Sequence, residues 1–172
     1  AEEKRFVPVS VNLSWMDFYD ENMLEWIVRG LKKNNQNEQK IRFEITETSL
    51  AAIGENHTRM LMHLKENGAE ILLDDFGSGY SSFGMLQDYD FDILKMDISF
   101  VRNIGVNKKS ESILRAIIDM AHQLEIRLVA EGAETEEQVA FLRENGCDYI
   151  QGYYYYKPMP EAEFLQLLEE GK

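Results

Sequence analysis

The chain contains one cysteine, Cys147, which excludes an internal disulfide framework and makes a reducing compartment, the cytoplasm, the expected setting. Three prolines leave no Pro-rich linker to divide domains. Basic residues are scarce: 18 Lys and Arg stand against 31 Asp and Glu, a net charge of −13. A surface that coats nucleic acid needs a basic footprint, so a nucleic-acid polymer is not an expected partner. No window approaches the roughly 18 apolar residues of a membrane span, and no charged n-region leads into an apolar h-region, so no membrane contact is expected. Histidine is equally sparse, and His57 and His63 lack the i,i+4 spacing of a metal-binding helical pair; with His122 they read as surface or helix-packing residues. No Gly-Lys-Ser/Thr follows Gly77-Ser78-Gly79, which excludes a Walker A loop.

What is present suffices for one domain over residues 1–172 with a sizeable core: 44% of residues are hydrophobic and 11% aromatic. Ala1, followed by Glu2-Glu3-Lys4-Arg5, reads as the cut end of a longer chain or a processed start. Phe6–Leu13 alternates, with Val7, Val9 and Val11 on one face, and predicts a strand. Further strands are predicted at 41–46, 70–73, 91–96, 126–130 and 149–156. Helices are predicted at 17–33, 48–67, 110–124, 135–145 and 161–170. Residues 81–88 fit either a short helix or a loop. Gly68 and Gly146 fall where left-handed helix C-caps belong, and Thr135 with Gln138 forms a capping box. Six strands alternating with five helices and one ambiguous segment carry the signature of a parallel α/β fold.

The strand ends carry the chemistry. In order they present Asn12, Glu44 and Glu47, Asp74 and Asp75, Lys95 and Asp97, Glu131 and Glu134, and Gln151. In a parallel barrel or sheet these ends meet on one face, where sites are built. Taken singly, each could be an ordinary cap or turn residue; six consecutive strands ending this way favour a site. Asp74-Asp75 emerges from the apolar run Ile71-Leu72-Leu73. Two carboxylates aimed at one point repel, and one protonates unless a cation intervenes. Oxygen-rich surroundings suit Mg²⁺ or Mn²⁺, and a carboxylate shared between two such ions suits displacement at phosphorus. Lys95 lies in an apolar strand. Its readings are a Schiff-base nucleophile, a general base, a charge clamp or a salt bridge to Asp97 or Asp75, and the surrounding carboxylates disfavour the first. Tyr153–Tyr156 could stack on bases, although strand alternation would place half of them in the core. Cys147, after a helix-capping glycine, is expected to be buried and inert.

These motifs resemble the EAL family of cyclic-di-GMP phosphodiesterases. The matching segments are Val11-Asn12-Leu13-Ser14, Glu44-Ile45-Thr46-Glu47, Asp74-Asp75-Phe76-Gly77-Ser78-Gly79-Tyr80-Ser81-Ser82, Leu94-Lys95-Met96-Asp97, Ala130 through Thr135, and Gln151-Gly152-Tyr153 through Lys157-Pro158. The resemblance implies a TIM-like α/β barrel that linearises cyclic-di-GMP to pGpG with two Mg²⁺ or Mn²⁺ ions. It implies that Asn12, Glu44 and Asp74 hold one metal, and that Asp75 and Glu131 hold the second, with Asp74 bridging. Lys95 resembles the residue that contacts and helps activate the attacking water, supported by Asp97. Gln151 and Glu134 resemble positions lining the site for water and substrate, with Pro158 on the substrate side. Glu47 resembles an anchor for the loop from Asp75 to about Leu86, which couples substrate binding and dimerisation to the metal site.

The departures carry their own expectations. Ser78, Ala133 and Ile98 replace the family's usual Thr, Val and Arg. The Glu-Ala-Leu tripeptide that names the family does not occur in the 172 residues. With six strands rather than eight, the chain is expected to be an incomplete barrel, since a full (β/α)₈ barrel takes about 200–250 residues. It is expected to bind metal weakly, to hydrolyse the dinucleotide poorly by itself, and to associate as a homodimer or by domain swapping. Two other readings compete. One is a non-catalytic module that binds cyclic-di-GMP or a partner protein. The other is a carboxylate-pair enzyme such as a glycoside hydrolase, which explains neither Lys95 nor Asn12 and Gln151.

Overall fold

Short runs rich in Val, Ile, Leu and Phe form the strands because their pleated faces can be buried on both sides. The computed structural model describes residues 7–14, 16–17, 20–34, 41–51, 58–79 and 82–170. The elements are β1 (Val9–Asn12), α1 (Glu21–Asn34), β2 (Ile41–Thr46), α2 (Glu47–Ala51), α3 (Thr58–Glu66), β3 (Glu70–Phe76), α4 (Ser82–Asp88), β4 (Ile93–Met96), α5 (Ile98–Arg102), α6 (Lys108–Gln123), β5 (Arg127–Glu131), α7 (Glu136–Glu144), β6 (Tyr149–Gln151) and α8 (Glu161–Glu170). The six strands are parallel and lie in chain order, β1 to β6, the arrangement expected of successive βα units.

The sheet is strongly curled. The Arg42 guanidinium on β2 lies 5.6 Å from the Tyr149 ring centre on β6. Four strand spacings in a flat sheet would separate them by about 19 Å. On the convex face Phe43, Ile45, Ile71, Leu73, Leu94, Met96, Leu128 and Ala130 are buried against the helices. On the concave face the period of two stacks three layers. At the bottom, Glu70 accepts from Arg42 Nε (2.9 Å) and Arg127 Nη2 (2.8 Å). Above them, Leu72, Ile93 and Val129 form a separate apolar layer. Glu44, Asp74, Lys95 and Glu131 lie at the top.

Helix boundaries follow local chemistry. Asn107 Oδ1 caps α6 by accepting from Lys109 and Ser110, and Leu114, Ile117, Ile118 and Ala121 form its buried stripe. The capping box at α7 is present: Gln138 N–H donates to Thr135 Oγ1, and Gln138 Oε1 accepts from Thr135 N–H. Gly68 (φ 89°) and Gly146 (φ 79°) take the left-handed conformation after α3 and α7.

Several expectations need correcting. The valine face of β1 is not core: Val9 is 60% and Val11 46% exposed, because β1 is an edge strand. The predicted strand at 149–156 stops at Gln151, and Tyr153–Tyr156 are all exposed in a turn and extended segment, so none enters the core. The predicted helix 48–67 is described as two helices, α2 and α3. The ambiguous segment 81–88 is the helix α4, and α5 was not anticipated. Phe6, the polar loop residues 35–39, His57, Tyr80 and Ser81 lie outside the described residues.

Candidate active site

In a regular strand Asp74 and Asp75 would point to opposite faces. Here β3 pairs Leu73 with Leu94 and Phe76 with Met96, so three steps on β3 match two on β4. Asp75 takes a left-handed backbone (φ 56°), which Asp adopts more readily than most residues. The bulge turns both carboxylates toward one site. Burial first, then the charges of Asp74 and Asp97, raise the Asp75 pKa above the ordinary carboxylate value; Lys95 lowers it and Glu131 raises it. Asp74 is 8% exposed, and its Oδ1 accepts from Asp75 N–H (2.9 Å).

Lys95, 7% exposed, stands at the centre. Its Nζ lies 3.4 Å from Glu44 Oε2, 3.3 Å from Asp74 Oδ1 and 3.3 Å from Glu131 Oε2. Burial alone would lower its pKa, but Asp74, Glu44 and Glu131 together outweigh that and raise it, so the ammonium keeps its charge. Its ion pairs therefore differ from those weighed for it in the sequence, Asp97 and Asp75. β3 and β5 flank β4 and the curl of the sheet brings β2 within reach across β3, whereas Asp97 lies beyond the strand and caps α5, its Oδ1 accepting from Ser99 N–H (2.8 Å).

The other anticipated residues fall around this centre. Asn12 ends β1 in register with Glu44 and is exposed at the sheet edge. Gln151 ends β6 opposite Glu131. Glu131, Glu134, Gln151 and Pro158 line one cleft of about 590 Å³, which the structure extends with Ile98, Arg102 and Phe164. Arg102 and Phe164 were missed in the sequence; the signal for Arg102 was the Asp97 cap that starts α5 one turn earlier. Glu47, 4% exposed, accepts from Gly79 N–H through Oε2 (2.9 Å). Its Oε1 is buried with no hydrogen-bond partner among the described residues. A Cβ on Gly79 would sit 2.9 Å from Glu47 Oε2, so glycine is what lets the loop close on its anchor.

Among the described residues no three carboxylate, imidazole or thiol groups are spaced as a ready cage, since the Lys95 ammonium lies among the acids. The donor chemistry still fits hard divalent cations. Glu44, Asp74, Asp75 and Glu131 offer only oxygen around a single ammonium, and at Asp75 the charges of Asp74, Asp97 and Glu131 add to burial in raising the pKa.

The family model described as "EAL domain" matches residues 1–158. This chain belongs to the EAL family. Over 128 residues the EAL chain is 41% identical to the cyclic di-GMP phosphodiesterase NbdA of Pseudomonas aeruginosa, covering 74% of this chain and 16% of NbdA. The EAL domain of Mycobacterium smegmatis DcpA superposes with a TM-score of 0.86 at 30% identity, covering 96% of this chain and 74% of that one. A manganese/cy-diGMP complex of Klebsiella pneumoniae BlrP1 gives 0.76 at 27% identity, covering 84% and 37%. The chain spans 16% to 20% of the length of the curated relatives that head the comparison. No helix among the described residues is long and apolar enough to cross a membrane.

Proposed function

We propose that this EAL chain hydrolyses cyclic-di-GMP to pGpG. The observation that carries the reading is the Lys95 ammonium within 3.5 Å of carboxylates from three strands, beside a bulge that presents Asp74 and Asp75 together. The relatives' names and the dinucleotide complexes of its structural neighbours support the substrate.

Asn12, Glu44 and Asp74 would hold one Mg²⁺ or Mn²⁺ ion, and Asp75 and Glu131 a second, with Asp74 shared. When bound, such ions supply Lewis acidity at the phosphoryl group and lower the pKa of water. Lys95, set among these carboxylates, would contact the attacking water and help to activate it. Asp97 does not pair with Lys95; it fixes α5 and adds negative potential at Asp75. Gln151 and Glu134 line the cleft beside Glu131, with Pro158 forming part of the apolar wall for substrate. Glu47 ties the loop after Asp75 to α2. The two open sheet edges favour self-association, as a homodimer or by strand exchange, and the setting is cytoplasmic.

The test is separation and quantification of pGpG after incubation of the chain with cyclic-di-GMP and Mn²⁺ or Mg²⁺. Release that stops with chelator and in Asp74→Asn supports the reading. Calorimetric binding without release favours the non-catalytic module, and neither binding nor release overturns both.

A further inference from the structure

The cleft beside the acidic centre is not uniformly acidic. Glu131 and Glu134 line one side, and Arg102 and Lys157 bring two cations into the same space. Geometry sets the direction in which Arg102 faces. Ile98 and Arg102 are four residues apart on α5 and share one helix face. Ile98 packs against the turn after β5 so closely that a Cβ on Gly132 would lie 2.3 Å from Ile98 Cγ1. That face therefore looks across the end of β5 into the cleft.

The two cations are committed differently. Lys157 Nζ stands over the Tyr153 ring at 5.4 Å. The Arg102 side chain makes no ion pair, hydrogen bond or ring stack with any other described residue, although acids outnumber bases 31 to 18 in the chain. Five other arginines of the described chain are paired: Arg29 with Glu25, Arg42 and Arg127 with Glu70, Arg115 with Glu111 and Asn145, and Arg143 with Tyr155. An uncommitted guanidinium beside apolar walls contributed by Pro158, Met159 and Phe164 is poised for an anionic, partly apolar ligand.

We propose that Arg102 is a specificity-determining residue that grips a phosphoryl oxygen of the dinucleotide in this cleft, with Lys157 as a secondary cation. This rests on the reading of the site as one for cyclic-di-GMP. Arg102 offers a planar fork of donors to a phosphodiester oxygen, a contact that lysine makes only as a point charge. It counters the repulsion that Glu131 and Glu134 exert on the same phosphate. It also discriminates against uncharged nucleosides, which leave the fork unmatched.

The experiment is calorimetric titration of cyclic-di-GMP into the chain and into Arg102→Lys, Arg102→Gln and Arg102→Glu, with Arg29→Gln as a control outside the cleft. Thermal melting of each variant verifies folding. The expected order of affinity is Arg, Lys, Gln, Glu, with a loss of about 10-fold or more for Gln and wild-type affinity for the control. Equal losses in the Lys, Gln and Glu variants, or no loss in any of them, overturn the proposal while wild-type binding leaves the dinucleotide reading intact. Failure of the unaltered chain to bind cyclic-di-GMP overturns that reading, and the Arg102 assignment with it.

Discussion

At the scale of single residues, the site depends on groups whose surroundings fix their chemical state. Glu47 illustrates this for the loop: its carboxylate is almost wholly buried and holds Gly79 N–H. Glu47→Ala should cost about 1–3 kcal/mol by orphaning that donor, speed hydrogen exchange at the Gly79 amide, and reduce pGpG release. Glu47→Gln, which keeps a carbonyl acceptor, should restore much of the protection. Unchanged Gly79 exchange in the alanine variant would contradict the anchor. Cys147 is an opposite case, a group kept unreactive. Burial is the main reason its thiol is pushed up to about 11, and its Sγ lies 3.2 Å from the Tyr149 carbonyl oxygen. The folded state thus retains a proton that the unfolded state gives up near 9.0, so this contribution to stability is whole below pH 9.0 and is lost as pH rises toward 11. Alkylation at pH 8 should be much slower than for an exposed cysteine in the unfolded chain; equal rates would refute it.

At the scale of elements, what the sequence disclosed follows from where each element's burial is decided. β3 and β4 were legible because both faces are covered, so their apolar runs show directly in the sequence. β1 carries the same alternation, but an edge position decides its exposure, and no local pattern encodes that. The tyrosine run after Gln151 has strand propensity. It leaves the sheet because Gly132 and Ala133 N–H groups bond to Gln151 O and Tyr154 N–H bonds to Ala133 O, folding the chain into a turn. The identities of the site residues were legible from strand-end chemistry. The full set of Lys95 partners was not, because it depends on the strand order that sets β3 and β5 beside β4 and on the curl that brings Glu44 of β2 within reach across β3. The turn after β6 leads to a sharp test. A Cβ on Gly152 would lie 2.1 Å from the Ala133 carbonyl oxygen and 2.4 Å from its nitrogen, both backbone atoms that cannot rotate away. Gly152→Ala should cost about 3 kcal/mol and lower Tm by on the order of 10 °C. A melting curve matching wild type would show that the two turns can separate.

At the scale of the whole molecule, the −13 charge and the clustered acids act together. The concave face has a charged floor and an apolar middle layer, with surplus negative charge at the top. A divalent cation that binds only the folded chain stabilises it by mass action, about 2.7 kcal/mol at one hundred times its Kd. Differential scanning calorimetry should therefore show Tm rising with Mn²⁺ or Mg²⁺ and returning with chelator, and the rise should shrink in Asp74→Asn. A Tm indifferent to either ion would argue that the acids are balanced without them. The same charge keeps copies of the chain apart at low salt, while β1 and β6 are the edges of the sheet among the described residues. Sedimentation should thus show association strengthening as salt screens the repulsion.

The irregular pairing around Asp75 also constrains how this chain can change length. Removing Asp75 would let β3 and β4 pair evenly and free the backbone from its left-handed turn, a gain for the sheet. It would also delete one of the two carboxylates. A single-codon deletion there should give a protein that melts no earlier than wild type and releases no pGpG. The miscount costs the sheet regular pairing and in return turns both carboxylates to one site.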